Sequence, residues 1–219
     1  MIFKKNDGTI WQSISDMMTG LMMIFLFVCM DFLFQMKETA ARYEEIKNQI
    51  HQDLIDEFKP EEMARLGARL DEEDLRVVFV SPSIFFAAGD STVNPQFQAV
   101  LAEFFPRYVK VLEKYSAEIV EVRIEGNASL EWSGDVNSNE AYFYNMKLSQ
   151  DRAFNVLQYI FTLNDLQTPE KRQWLVEKLR ANGASFSKAS DKNVNASRCV
   201  EISIRRNAEK ELNKINEQR

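Results

Sequence analysis

The 219-residue chain is poor in the residues that most often announce chemistry: it holds two cysteines, one histidine, seven glycines and five prolines. Cys29 falls inside an apolar run and Cys199 in a late strand-like segment, so no intramolecular disulfide is expected and stability has to come from packing. A single histidine, His51 on the polar side of a helical pattern, leaves no His-Glu-x-x-His zinc motif. Nor is there a glycine-rich phosphate cradle or a Gly-x-Ser-x-Gly elbow, and no enzyme, metal or cofactor is expected. An excess of basic charge is also missing. Lys and Arg number 27 against 33 Asp and Glu, a net charge of -6, which argues against nucleic acid as a partner.

What the chain does have is one long apolar run, Met17 to Phe34. Extended to 14–36 it offers roughly 20 residues or slightly more, enough to cross a hydrocarbon core of about 30 Å as one helix. Gln35, Met36, Lys37 and Glu38 follow it, which is not a small-residue cleavage site, so the segment is read as a retained anchor. Lys4 and Lys5 in the tail 1–13 place the N-terminus in the cytoplasm and the bulk of the chain outside.

Asp16 stands at the threshold of this run. Asp16, Thr19, Gly20, Met23 and Phe27 follow spacings of three and four and share one helix face. Gly20 admits close approach of another helix, and Thr19 offers a hydroxyl to a carboxyl group or a water. Burial disfavours the charged form of a carboxylate, so Asp16 at the edge of lipid reads as a carrier of a proton or cation. The alternative is a helix N-cap, a position aspartate fills well. Asp31 is a second acid about four turns further on and roughly 60° round the helix. It either snorkels to the interface, lines an exit path or meets a basic group on a partner.

Beyond the span, 37–74 reads as a helical stem. Tyr43, Ile46, Ile50, Leu54 and Phe58 form one apolar stripe, Pro60 ends the helix, and Glu61 and Glu62 open a second one with Met63, Leu66 and Leu70 on its buried face. The stripe either packs on the chain's own domain or pairs with a second copy. From Leu75 to residue 206 the pattern predicts an α/β (α+β) domain: a strand at Arg76 to Val80, a helix at Pro95 to Tyr115 interrupted near Pro106, a strand at Ile119 to Glu125 and a helix at Leu148 to Leu163. Thr168 and Pro169 then open a helix running through Arg180 with Asn182 and Gly183 as its stop, Ser185 to Ser197 is a loop or a poor edge strand, and Cys199 to Arg205 closes as a strand before a charged tail, 207–219.

The string Trp11, then Asp16-Met17-Met18-Thr19-Gly20-Leu21-Met22-Met23-Ile24-Phe25-Leu26, resembles the transmembrane segment of MotB-type stator subunits. Its Thr-Gly-Leu-Met form is closer to the ZorB family, the MotB-like subunits of Zorya anti-phage defence systems, than to flagellar MotB. Over roughly Val77 to Ile204 the chain resembles the OmpA-like peptidoglycan-binding domain, a βαβα sandwich. Phe86, Gly89 and Pro95, then Ile124-Glu125-Gly126, then Tyr144-Asn145-x-x-Leu148-Ser149-x-x-Arg152-Ala153, and Arg198 with Val200-Glu201 carry that likeness.

The resemblance implies that Asp16 and Thr19 handle protons, the transported ion, and that Tyr144, Asn145, Leu148 and Arg152 bind peptidoglycan. In this reading Asn145 lies just before a helix whose unpaired donors face the ligand, Arg152 pairs with a peptide-stem carboxylate, Tyr144 forms a wall and Leu148 packs beneath. It further implies a homodimer inside a ring of MotA-like (ZorA-type) multi-span subunits in the bacterial inner membrane, with the C-terminal domain periplasmic and held to peptidoglycan. Flagellar service and a passive wall tether are the alternatives. One departure is clear: where the family continues Gly-His-Thr-Asp, this chain has Gly126-Asn127-Ala128-Ser129, and Cys199 stands in place of a second arginine. Trp132, Asp135 and Glu140 lie in the inserted stretch Leu130 to Phe143; the alternatives are that Asp135 or Glu140 substitutes for the missing acid, or that binding is weaker or differently selective.

Overall fold

The computed structural model describes residues 7–71, 74–80, 86–87, 89–128, 138–185 and 199–206, which fall into two units divided between Glu45 and Ile46. The first unit is helical. Helix α1 (Asp7–Glu57) has no break between its apolar and its charged parts, in keeping with the absence of proline from it. Its apolar part is long enough to cross a membrane. Side chains all round that part lie open, from Met17 at 77% to Phe27 at 66% exposed, as a helix bathed in lipid requires and a helix in a soluble core forbids.

The second unit opens with the last turns of α1. Ile50, Leu54 and Phe58 are buried in the core of this unit, so the stripe in the stem packs on the chain's own domain. Helix α2 (Pro60–Arg65) ends where Gly67 takes a positive φ of 65°, and strand β1 (Ala68–Asp71) follows. The helical spacing of Met63, Leu66 and Leu70 concealed that strand, which exists because it pairs antiparallel with β2 (Arg76–Phe79). Helix α3 (Pro95–Glu113) starts at Asn94, whose side chain accepts from the Gln96 amide at 3.0 Å.

The interruption expected at Pro106 does not occur. Phe104, Phe105, Tyr108 and Val109 on either side of it are fully buried. Each contributes about 1.5–3 kcal/mol by burial, which together outweighs the roughly 3 kcal/mol that an interior proline costs.

Strand β3 (Ile119–Gly126) is followed by α4 (Ser138–Ile160), a short 3-10 turn (Asn164–Leu166), α5 (Pro169–Lys178), β4 (Leu179–Gly183) and β5 (Val200–Arg206). The sheet order is β1-β2-β5-β3-β4, antiparallel except for the β3–β4 pair. Strand β4 was expected as the end of a helix. Its five residues pair in parallel with β3, Ile124 opposite Ala181 and Gly126 opposite Gly183, and that distant partner outweighs their local preference. Gln150 of α4 lies along this strand, donating to the Ala181 carbonyl at 3.1 Å and accepting from the Gly183 amide at 2.7 Å.

Arg107 ties the helices together. Its Nε donates to Glu57 at 2.7 Å, its Nη1 donates to Glu62 at 2.6 Å, and its guanidinium lies 4.5 Å from the Phe58 ring centre. The hydrogen bond from Arg107 holds the Glu62 carboxyl below its ordinary value of 4.5, and one from Lys114 likewise lowers Asp53. A carboxyl lowered by folding contributes stability above its unfolded value and loses it as pH falls through the folded one. A fragment spanning 46–206 is therefore expected to lose urea resistance as pH falls below 4.5. Arg107→Met should flatten that slope, since Glu57 and Glu62 lose their shared guanidinium and Glu62 keeps the longer Arg65 contact at 3.7 Å; an unchanged slope would remove this cluster as its source.

Candidate functional site

Asp16 lies well inside α1, more than two turns from its start at Asp7, which rules out the capping role. Its side chain is exposed on the helix surface. The Thr19 hydroxyl donates to the Ser15 carbonyl of its own helix at 2.8 Å and keeps its lone pairs as acceptors. A Cβ placed on Gly20 would meet nothing within 4 Å, so the groove beside Asp16 and Thr19 is open to another helix.

In the second unit the candidate residues all stand on α4, and what fixes α4 is its contact with two glycines. A Cβ on Gly126 would lie 2.2 Å from the Ser149 carbonyl oxygen, and one on Gly183 2.6 Å from the Gln150 amide nitrogen. No side chain fits there. Ser149, fully buried, accepts from the Ser185 amide at 3.0 Å, and Ala153 beside it is also fully buried. The Leu-Ser-x-x-Arg-Ala string is thus first a docking sequence, with small residues where helix and sheet touch.

Arg152 differs from its expected state. It is 6% exposed; its Nε donates to the Asp90 carbonyl at 2.9 Å, its Nη2 to the Ala87 carbonyl at 3.4 Å, and its guanidinium lies 5.0 Å from the Phe86 ring centre. One turn on, Asn155 donates to the Ser91 carbonyl at 2.8 Å. Together they hold the segment that precedes α3. That segment is also braced internally: Asp90 accepts from the Ser91 and Thr92 amides at 2.7 and 3.0 Å. The Thr92 amide bond, chiefly, and the nearby Arg152 charge keep the Asp90 carboxyl below its ordinary value. Asp90 and Asn155 escaped the sequence reading, although Asp90-Ser91-Thr92 is a side-chain-stabilised turn signal.

The place given to Asn145 needs correcting. Helix α4 begins at Ser138, so Asn145 lies about two turns inside it, away from any unpaired N-terminal donors. It is 3% exposed, and its amide donates to the Ala141 carbonyl at 3.0 Å. Tyr144 is 41% exposed and its hydroxyl lies beside Gly89, which holds a positive φ of 72°. Leu148 is half-buried. Tyr144 and Arg152 thus meet the same segment, one near Gly89 and the other through Ala87 and Asp90, while Asn145 and Leu148 pack within the fold.

At the end of β3, Asn127 is 3% exposed; its backbone amide donates to the Cys199 carbonyl at 2.9 Å and its side chain reaches Cys199 Sγ at 3.5 Å. Glu201 is buried beside Cys199 and paired with Arg76 at 3.2 Å. Glu140 lies exposed in the first turn of α4. Ser129, Leu130, Trp132, Asp135 and Arg198, and the tails 1–6 and 207–219, lie outside the described residues. Among the described residues no cluster of His, Cys, Asp and Glu is placed to hold a metal ion.

Compared with known proteins, the chain is 38% identical over 224 aligned positions to Zorya protein ZorB from Escherichia coli (strain Crooks), covering 97% of this chain and 94% of that protein. No family model matches it. Among solved structures it is similar to a MotB-like protein from Desulfovibrio vulgaris, at 20% identity and a TM-score of 0.45 over 78% of this chain and 95% of that one. It is also similar to the cell wall anchor of the type VI secretion system from Pseudomonas aeruginosa, at 19% identity and a TM-score of 0.44 over 72% of this chain and 97% of that one.

The glycine contacts lead to a direct test. Gly126→Ala and Gly183→Ala should each destabilise the 46–206 fragment by about 2 kcal/mol or more, because the added carbon meets backbone rather than a movable side chain. Urea midpoints measure this, and a loss below about 0.5 kcal/mol for both would mean that α4 does not sit this close to the sheet.

Proposed function

The chain belongs to the ZorB family of Zorya proteins, and on that premise we propose that it is the wall-anchored subunit of an ion-driven motor in the bacterial inner membrane, serving anti-phage defence. The observation that carries this reading is identity to ZorB along nearly the whole chain, with Asp16 set in the exposed face of a membrane-length helix. One helix cannot enclose an ion path. The open groove at Gly20 suits a neighbouring helix, and the partners are a second copy of this chain and a surrounding ring of ZorA-type, MotA-like multi-span subunits. In this arrangement the N-terminus is cytoplasmic and the domain from Ile46 onward is periplasmic. Asp16 accepts and releases protons, and Thr19 supports it as an acceptor of hydrogen bonds.

Peptidoglycan is the proposed ligand of the outer domain. Tyr144 supplies the exposed wall, Arg152 the positive charge for a stem-peptide carboxylate, and Asn145 and Leu148 the packed support beneath them. Arg152 is already fixed by the Ala87 and Asp90 carbonyls, so a ligand meets a pre-oriented guanidinium and little ordering entropy is lost.

Asp16→Asn is expected to abolish protection against phage while membrane insertion and partner assembly persist, since the amide keeps the shape but does not titrate. Thr19→Ala should be milder, because water replaces part of the lost bonding. Normal protection by Asp16→Asn would leave only a passive tether.

For the wall, the folded 46–206 fragment should sediment with purified peptidoglycan. Arg152→Ala should weaken this at least about tenfold, through a charge-assisted contact of roughly 1.5–3 kcal/mol. Arg152→Lys, which keeps the charge but loses the fork, should fall between the two. Urea midpoints run alongside separate lost binding from lost folding, and unchanged sedimentation of a stable Arg152→Ala would remove Arg152 from the ligand site. If the wild-type fragment fails to bind, recovery by Ser129→Asp would trace the failure to the missing acid.

A further inference from the structure

The span carries a second carboxyl group that the reading above leaves without a task. Asp31 is set among Met30, Phe32, Leu33 and Phe34, whose side chains are between 54% and 64% exposed around α1. At the helical rise it lies roughly 9 Å short of Lys37, the first cation beyond the apolar run. Aspartate has a single methylene, so it does not snorkel over that distance as lysine and arginine do. It is nonetheless provided with a polar partner. The Gln35 side chain, one turn towards the charged end of the helix, donates to Asp31 Oδ2 at 2.8 Å. Thr39, a further turn along, donates to the Gln35 carbonyl at 2.9 Å. Asp31, Gln35 and Thr39 therefore form a polar line from inside the span to its outer end.

Asp16 and Asp31 lie on the same side of the helix, about 60° apart, and both can face one seam between helices. They are also about 22 Å apart along the axis, and residues 17–30 between them contain no ionisable side chain other than Cys29. One carboxyl marks each end of the same apolar stretch.

We propose that Asp31 with Gln35 is a second ion-binding station, on the outer side of the span, which takes protons from outer water and passes them towards Asp16. This rests on the ion-driven reading of Asp16. In the loading step a hydronium ion gives its proton to the Asp31 carboxylate and leaves as water. In the unloading step the carboxylic acid returns that proton to a water deeper in the seam, regenerating the carboxylate. Gln35 keeps Oδ2 oriented in both states, because its N–H donates to a carboxylate and, more weakly, to the carbonyl oxygen of a protonated acid. Waters and hydroxyl groups of the partner helices span the gap to Asp16.

Two measurements on the full-length chain, expressed with its natural neighbours, test this. In cells, Asp31→Leu and Asp31→Asn should each reduce phage protection at least about tenfold, while Asp31→Glu retains most of it, as a proton-carrying group requires. Leucine suits the lipid, so Asp31→Leu inserts at least as well as the native span, which membrane protein levels verify. In right-side-out vesicles, a membrane-soluble carbodiimide reacts with protonated carboxyl groups. Its adduct at Asp31, read by mass spectrometry, should fall several-fold as outer pH rises from about 6 to about 9 with inner pH held constant. Full protection by Asp31→Leu alongside a dead Asp16→Asn would overturn the second station and leave the reading of Asp16 intact. So would labelling of Asp31 that ignores outer pH. Full protection by Asp16→Asn would instead remove the carrier reading itself, and the outer station with it.

Discussion

The placement of α4 and of the side chains it carries follows from how closely that helix approaches the sheet. Gly126 and Gly183 stand opposite each other on β3 and β4, and the α4 backbone at Ser149 and Gln150 fills the space where their side chains would be. Because this contact is made by main chain, it fixes the height and rotation of α4 more tightly than interdigitating side chains do. The rest is geometry. With Ser149 against the sheet, Arg152 and Asn155 fall one and two turns later on the side where the segment before α3 passes, and they bind its carbonyls. The glycine pair thus sets where α4 presents Arg152, and the Ala87 and Asp90 carbonyls fix its guanidinium there.

The two units solve opposite solvent problems. The second unit buries its large aromatic residues together, Phe79, Phe97, Phe104 and Tyr108 among them, with ring centres 5–6 Å apart. The span displays the same residue type outward, with Phe25, Phe27, Phe32 and Phe34 all above 60% exposed. The same apolar side chains signal a core in one unit and a lipid face in the other, and length of run tells them apart.

Features with a local cause were legible in the sequence. The apolar run, the stripe of Ile46, Ile50, Leu54 and Phe58, and the Thr168-Pro169 helix start each rest on residues adjacent along the chain. Strands β1 and β4 do not, being short and defined by partners elsewhere. Arg152 shows the limit more sharply. Its charge and its place on a helix could be read, but its hydrogen bonds to Ala87 and Asp90 cross more than sixty residues and no local pattern encodes them. For Asn145 the error was the helix start, expected at Leu148 and found nearly three turns earlier, at Ser138, with Glu140 as the acidic first-turn residue.

Gln150 has one more effect. Among the described residues β4 is the outermost strand next to β3, and an outermost strand turns a row of polar main-chain groups towards whatever comes near. Here the Gln150 amide sits on the Ala181 carbonyl and the Gly183 amide in the manner of a single residue of a neighbouring strand, and Arg180 donates to the Leu179 carbonyl. Side chains of the same chain thus occupy these three main-chain groups of β4. A strand arriving at β4 would first have to evict this glutamine from both main-chain groups, so lengthening the sheet on that side carries a cost that a bare strand would not impose.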